Sequence, residues 1–252
     1  MSPKKKNKKI NIKKKKRIKF LKWTSLIILI VAAITLFLLS DIFNIKEIKV
    51  SNSNKVSEEE IILLSGIKTN ENMFKFFKLK AIEKIKTNPY IEDVTIHRQL
   101  NGIIDIQVTE RVATFMLAIA EEQFGYINNQ GYILDINNQA IEKPLLTGYQ
   151  TESIEVGNRL DIVDLKKLNN IIKIVNTAEE KQISDKITKI DFEDNQDILI
   201  TMESEGKLIH FGNEKNINDK FVKLMAVLED TAGQNGEIFL KNIDKVYFRK
   251  EV

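Results

Sequence analysis

Cysteine is absent from the 252 residues, proline occurs three times, histidine twice and tryptophan once. No disulfide, thiolate metal site or cysteine nucleophile is therefore open to the chain. His97 and His210 cannot by themselves build a histidine-rich metal centre or a mechanism that needs several imidazoles. Ten glycines are few for this length, and none lies in a phosphate-cradling loop. G-x-S-x-G and H-E-x-x-H are missing too. Paired carboxylates, whose separation a sequence does not set, are what remains of catalytic chemistry. Asp191, Glu193 and Asp194 fall in an expected turn, where solvation accounts for them, and both histidines sit in alternating strands. No catalytic residue, cofactor or metal is expected.

What is present is unevenly spread. Residues 1–22 hold eleven Lys, one Arg and no acid, a formal +12 in a chain whose total is +4, which leaves −8 on the other 230 residues. WTSLIILIVAAITLFLLS (23–40) follows at once, 18 uncharged residues of which eleven are Leu, Ile, Val or Phe. As a helix it is ~27 Å long, near the hydrocarbon thickness of a bilayer, and insertion is favoured by ~5 kcal/mol. A single transmembrane helix is expected over 23–40, with Phe20 and Trp23 at the interface and Lys19 and Lys22 reaching headgroups. The basic segment, residues 1–22, is then a cytoplasmic tail, and the bulk of the chain is extracytoplasmic. A removable signal peptide ends in small residues, which Leu38, Leu39 and Ser40 do not supply. A nucleic-acid arm is also basic, but topology and attraction to anionic lipid explain the same charges. Membrane lipid is expected as a partner through residues 23–40 and the tail, and nucleic acid is not.

Beyond Asp41 short strands alternate with amphipathic helices in an α+β pattern. The first stretch, 41–112, opens with a strand marked by Ile45, Ile48 and Val50. VSEEEII then supplies a capping box from Ser57 and Glu60, a hydrophobic staple from Val56 and Ile61, and three acids for the positive helix end, with Ser65-Gly66 as the stop. A second helix is expected over 76–87, with Leu79, Ile82 and Ile85 on one side and a solvated lysine face, ended by Pro89. VTIHRQLNGIIDIQVTER reads as a hairpin turning at Asn101-Gly102. This small module is thus β-α-α-β-β. The second stretch, 113–252, is larger, with strands expected at 112–119, 124–127, 131–136, 187–192, 197–202, 207–211, 237–240 and 244–249. Its turns are NNQG, EDNQ and ESEG. Two helices interrupt it, over 162–176 (Leu165, Leu168, Ile172, Val175) and 217–229 (Phe221, Leu224, Met225, Leu228). Sheet edges invite pairing by another chain. The last strand, within IDKVYFRKEV, alternates Val246 and Phe248 with Tyr247 and Arg249 and closes the sequence, so Lys245, Val246, Tyr247, Phe248 and Arg249 are the candidate partner-binding residues, with an ordinary closing strand as the alternative.

A basic tail, one span and a β-α-α-β-β module resemble the bacterial cell-division family FtsQ/DivIB. IKEIKVSNSNKVSEEEI is similar to that family's opening strand and first helix of its POTRA domain, NMFKFFKL to the segment before the second helix, and NPYIEDVTIHRQL with IIDIQVTER to the closing hairpin with its V-x-E-R. KPLLTG (143–148) resembles the P-x-[IL]-[TS]-G of the β domain that follows. GEIFLKNIDKVYF resembles its G-x-I-D-[LM] run, with Phe239 in place of the acid. The resemblance covers nearly the whole chain. It implies a POTRA domain followed by a mostly antiparallel β domain, and a non-enzymatic, membrane-anchored scaffold at the division septum. It also implies docking of small bitopic proteins of the FtsB/DivIC and FtsL type on the distal domain, and through them an indirect link to the septal peptidoglycan synthase. A membrane-anchored cell-wall enzyme and another POTRA-type translocation or assembly factor stay open as alternatives.

Overall fold

A computed structural model describes residues 3–194 and 196–251, with side chains from residue 18 onward. The tail's side chains up to Arg17, and Asn195 of the expected EDNQ turn, lie outside the described residues. A helix, α1 (Pro3–Leu38), runs through the basic and apolar segments without a break. Its stretch Ile18–Leu38 is 21 residues long with no buried part, or ~31 Å at the usual rise. A helix this long and apolar all round is long enough and greasy enough to cross a membrane. The span stops two residues short of the expected Ser40. Ser40 turns back to hydrogen-bond the Phe37 carbonyl through both its amide (3.1 Å) and its hydroxyl (2.7 Å).

The chain forms two compact units, Met1–Ile85 with Asp93–Val108, and Lys86–Glu92 with Thr109–Val252. In the first, β1 (Glu47–Ser51), α2 (Glu58–Ser65), α3 (Lys78–Ile85), β2 (Ile91–Gln99) and β3 (Ile103–Glu110) follow in the expected order, and the sheet order is β1-β3-β2. Ser57 caps α2 by accepting from the Glu60 amide, and Gly66 ends it in the left-handed region at φ 67°. α3 is shorter than expected and turns a different face inward. It buries Ala81 and Ile85 and leaves Leu79 exposed. Steps of three residues walk ~60° backwards around a helix each time, so Leu79, Ile82 and Ile85 do not share one face, whereas the i, i+4 pair Ala81 and Ile85 does. The hairpin loop also differs. Gly102 donates to the Gln99 carbonyl at 3.0 Å, which makes Leu100 and Asn101 the central residues. Gly102, at φ 94°, is the positive-φ residue while Asn101 is not. That is a three-residue loop with a glycine bulge rather than an Asn-Gly two-residue turn.

The second unit is one nine-stranded sheet. It comprises β4 (Phe115–Ala120), β5 (Gln123–Ile127), β6 (Ile133–Asn137), β7 (Leu145–Thr147), β8 (Lys189–Asp191), β9 (Ile198–Met202), β10 (Lys207–Gly212), β11 (Gly236–Phe239) and β12 (Tyr247–Lys250). They lie in the order β12-β11-β10-β9-β8-β7-β4-β5-β6. Pairings are antiparallel except β4 with β7, β7 with β8 and β10 with β11. Helices α4 (Ile162–Glu180) and α5 (Ile217–Asp230) cover one face, burying Leu168, Ile171, Ile174 and Ala178 of α4 and Phe221, Leu224 and Leu228 of α5. Met225 is exposed instead of buried, while Lys220 is buried with its ammonium 4.8 Å from the Phe211 ring centre. β7 has no counterpart among the expected strands, because three residues are too few to show alternation. It coincides with KPLLTG. Gly148 follows at φ +82°, and a Cβ there would come within 2.3 Å of the Glu193 amide nitrogen, so no other residue fits this turn without moving backbone.

Candidate functional site

At the β12 end of the sheet, one face packs on α5 and the other is open. Along β9 to β12 the alternate residues Leu199, His210, Phe239 and Tyr247 stand directly beside one another on that open face. The His210 and Phe239 rings stack at 4.3 Å and 8°, and Phe239 and Tyr247 at 4.6 Å and 10°. Phe239, which stands where the resembling run has an acid, is thus the middle ring of a three-strand stack. Such cross-strand aromatic pairs stiffen a sheet by ~0.5–1 kcal/mol each.

Charges frame the stack. His210 Nδ1 lies 2.9 Å from Asp197 Oδ2 and Nε2 lies 3.4 Å from Glu237 Oε2. Lys241 Nζ meets Asp197 Oδ2 at 2.5 Å. Arg249 ion-pairs with Glu237 and places its guanidinium 5.1 Å from the Phe239 ring centre. Asp197 Oδ1 is buried with no hydrogen-bond partner. A cleft of about 470 Å³ continues from this face past Thr201, Leu208, Glu237, Arg249 and Lys250. Among the described residues, no cluster of three or more His, Cys, Asp or Glu could hold a metal ion.

Beneath, three lysines fasten the backbone. The buried Lys207 ammonium donates to the carbonyls of Glu205 (3.2 Å), Thr231 (3.1 Å) and Gln234, and lies 5.2 Å from the Phe248 ring centre. Lys220 donates to the Asn213 carbonyl at 2.7 Å. Burial lowers its pKa, against the opposing pull of Glu214 and Asp197. Lys223 donates to the Ile243 carbonyl, in the short 3-10 turn Ile243–Lys245 that leads into β12.

The five residues expected to bind a partner are divided by the fold. Lys245 lies in that turn rather than in a strand, because the Asn242 side chain accepts from the Asp244 amide at 3.0 Å and winds the chain there. Val246 and Phe248 pack against the core. Tyr247 and Arg249 face out and join the stack. The Glu251 amide donates to the Asn235 carbonyl at 3.0 Å. In an antiparallel ladder the bonded residues alternate, so Tyr247 and Arg249 pair with β11 while the backbone groups of Phe248 and Lys250 face the free edge. His210, Phe239 and Glu237 were legible only as outward positions of alternating strands. Nothing in the sequence links them to Asp197 or Lys241.

Residues 43–111 match the family described as POTRA domain, FtsQ-type, and residues 114–252 match FtsQ/DivIB, C-terminal related. Among curated proteins, the cell division protein DivIB of Clostridium botulinum (strain Loch Maree / Type A3) is 31% identical over 220 residues, covering 86% of this chain and 84% of that one. The cell division protein FtsQ of Corynebacterium glutamicum is 25% identical over 190 residues, 75% of this chain and 80% of its own length. The DivIB of Clostridium tetani is 25% identical over 204 residues, 80% and 76% respectively.

Proposed function

Because the chain belongs to the FtsQ/DivIB family of bacterial cell-division proteins, we propose that it is a non-enzymatic scaffold of the division machinery. In this reading α1 holds it in the cytoplasmic membrane with the basic tail inside, and both folded units stand outside at the septum. β12 receives an extended segment of a small bitopic partner of the FtsB/DivIC and FtsL type, and through that pair the scaffold reaches the septal peptidoglycan synthase. The observation that carries this is the place of β12 at the end of the sheet, with the N–H and C=O groups of Phe248 and Lys250 turned to the open side. A strand added there gains main-chain hydrogen bonds, and Tyr247 and Arg249 supply side-chain selectivity.

Lys250→Pro tests it. The substitution removes an outward amide without touching the ladder to β11. Co-purification of the bitopic pair with the full-length chain is expected to be lost, with amide-exchange protection of β11 unchanged. Undiminished co-purification would exclude this edge. A fluorescent fusion through the tail is expected at midcell, and a uniformly peripheral signal throughout division would remove the septal assignment.

A further inference from the structure

The first unit carries exposed apolar side chains that its own core does not use. Ile42 is 66% exposed, Phe77 78%, Leu79 75% and Leu100 73%. They belong to three separate segments, and hydrogen bonds gather those segments around the end of α1. Asn72 Nδ2 donates to the carbonyls of Leu38 and Ser40, both at 3.0 Å. The Met73 amide donates to the Phe43 carbonyl at 2.9 Å, and the Lys46 amide to the Gly102 carbonyl at 2.8 Å. Arg98 donates to the Phe76 carbonyl at 2.9 Å with its guanidinium 4.3 Å from the Phe76 ring centre. A run of edge-to-face rings leads out of the helix, Phe37 to Phe43 at 5.3 Å and Phe43 to Phe74 at 5.4 Å.

We propose that this end of the first unit, with Ile42, Phe77, Leu79 and Leu100 at its tips, rests on the bilayer surface and binds anionic phospholipid headgroups. The proposal depends on α1 crossing the membrane. The apolar stretch is consumed at Leu38, so the edge of the hydrocarbon falls there, and residues held within one hydrogen bond of Leu38 and Ser40 lie at headgroup depth. Lys46, Lys75, Lys78 and Arg98 stand on these same segments against Asp41 and Glu71, an excess of two positive charges. Glu47, next along, is paired with Lys49 at 3.7 Å. Aromatic and apolar tips among lysines are the composition of an interfacial surface. They ring the point where the helix leaves lipid, so the bilayer plane meets them with no change of fold.

The absence of cysteine allows a single reporter to be placed anywhere. Full-length chain carrying Phe77→Cys, Leu100→Cys or, as the distal control, Leu63→Cys is labelled with an environment-sensitive dye and placed in phosphatidylglycerol nanodiscs containing spin-labelled lipid. Leu63 lies one turn before Gly66, whose neighbour is Lys84 at the far end of α3. Labels at 77 and 100 are expected to lose fluorescence to the lipid quencher while the label at 63 keeps it. Phosphatidylcholine discs or added salt should weaken the loss. Lys75→Gln and Lys78→Gln each lower the docked-to-undocked ratio about fivefold. Trp23, the single tryptophan, reports the span in the same discs. If Trp23 is quenched but the label at 77 is no more quenched than that at 63, the docking is wrong and the anchor stands. If Trp23 is not quenched, the anchor and the docking both fall. Shielding of 77 and 100 only when other division proteins are added would assign the patch to a protein and overturn the lipid proposal.

Discussion

Among the described residues, the first unit buries the uncharged polar side chains Ser65 and Asn72, whereas the second buries Asp164, Lys207 and Lys220 as well. The difference follows from connectivity. The first unit joins β2 to β3 by a short hairpin and β1 to β2 by two short helices, of which α2 is capped at both ends by its own flanking residues. In the second, the loops that flank α4 and α5 carry backbone groups that need partners inside. Asp164, fully buried at the start of α4, accepts from the Gln150 amide, the Thr151 amide and the Thr151 hydroxyl at 2.6–3.0 Å. Lys207 and Lys220 do the reverse for carbonyls. Buried charge here fastens loops, and each such group is costly to leave half satisfied.

The comparison breaks most readily at Asp164. Asp164→Ala leaves three donors without an acceptor and is expected to destabilise the second unit by about 3 kcal/mol. Amide exchange should show the loss in residues 109–251 and unchanged protection in 43–85. Equal losses in both would mean that the units do not melt separately. Next comes Gly236→Val. A Cβ at Gly236 falls 2.3 Å from the Arg249 carbonyl and 2.7 Å from the Phe248 ring. The overpacking costs about 2 kcal/mol and should appear as lost protection at 247–250. Ser57→Ala removes the local cap of α2 at 3.2 Å and should cost about 1 kcal/mol, visible in urea unfolding of the first unit alone.

The smallest effect concerns pH, and it sharpens the contrast because all five tyrosines lie in the second unit. Burial first, then Asp135 and Tyr126, push the Tyr90 phenol up to about 12 from 10.0. The folded state therefore holds this proton more tightly than the unfolded state. The associated stability is intact below pH 10 and lost as pH rises from 10 toward 12. Tyr90 is only partly buried, so solvent damps the effect. Alkaline unfolding monitored by exchange should spare the first unit, and Tyr90→Phe should flatten the slope in that window.

What could be read in advance divides along the same line. Local rules located α2 from Ser57 and Glu60, and alternation located β2, β3, β9, β10 and β11. The span, the module order and the family rested on patterns of this kind. The misjudged face of α3, and the exposed Met225 on an otherwise correctly placed face of α5, came from counting apolar letters without following the helix angle. β7 and its parallel pairing with β4 and β8, the buried Asp164, and the approach of His210 to Asp197 and Glu237 depend on tertiary pairing, for which a single sequence has no local sign. Arg111 is intermediate. Its V-x-E-R setting was visible, but not its bonds to the Pro89 and Ile91 carbonyls at 2.8 and 2.6 Å, nor the Tyr132 ring centre 4.2 Å from its guanidinium.

Asn72 holds two carbonyls at the end of α1 and also bridges Asn44 across the chain. A joint pinned at both points transmits torque. Rotation of the anchor about its long axis would turn the first unit with it, as a key turns a lock, instead of being absorbed by a slack tether. Whatever neighbours grip that helix thereby also steer the heading of the first unit.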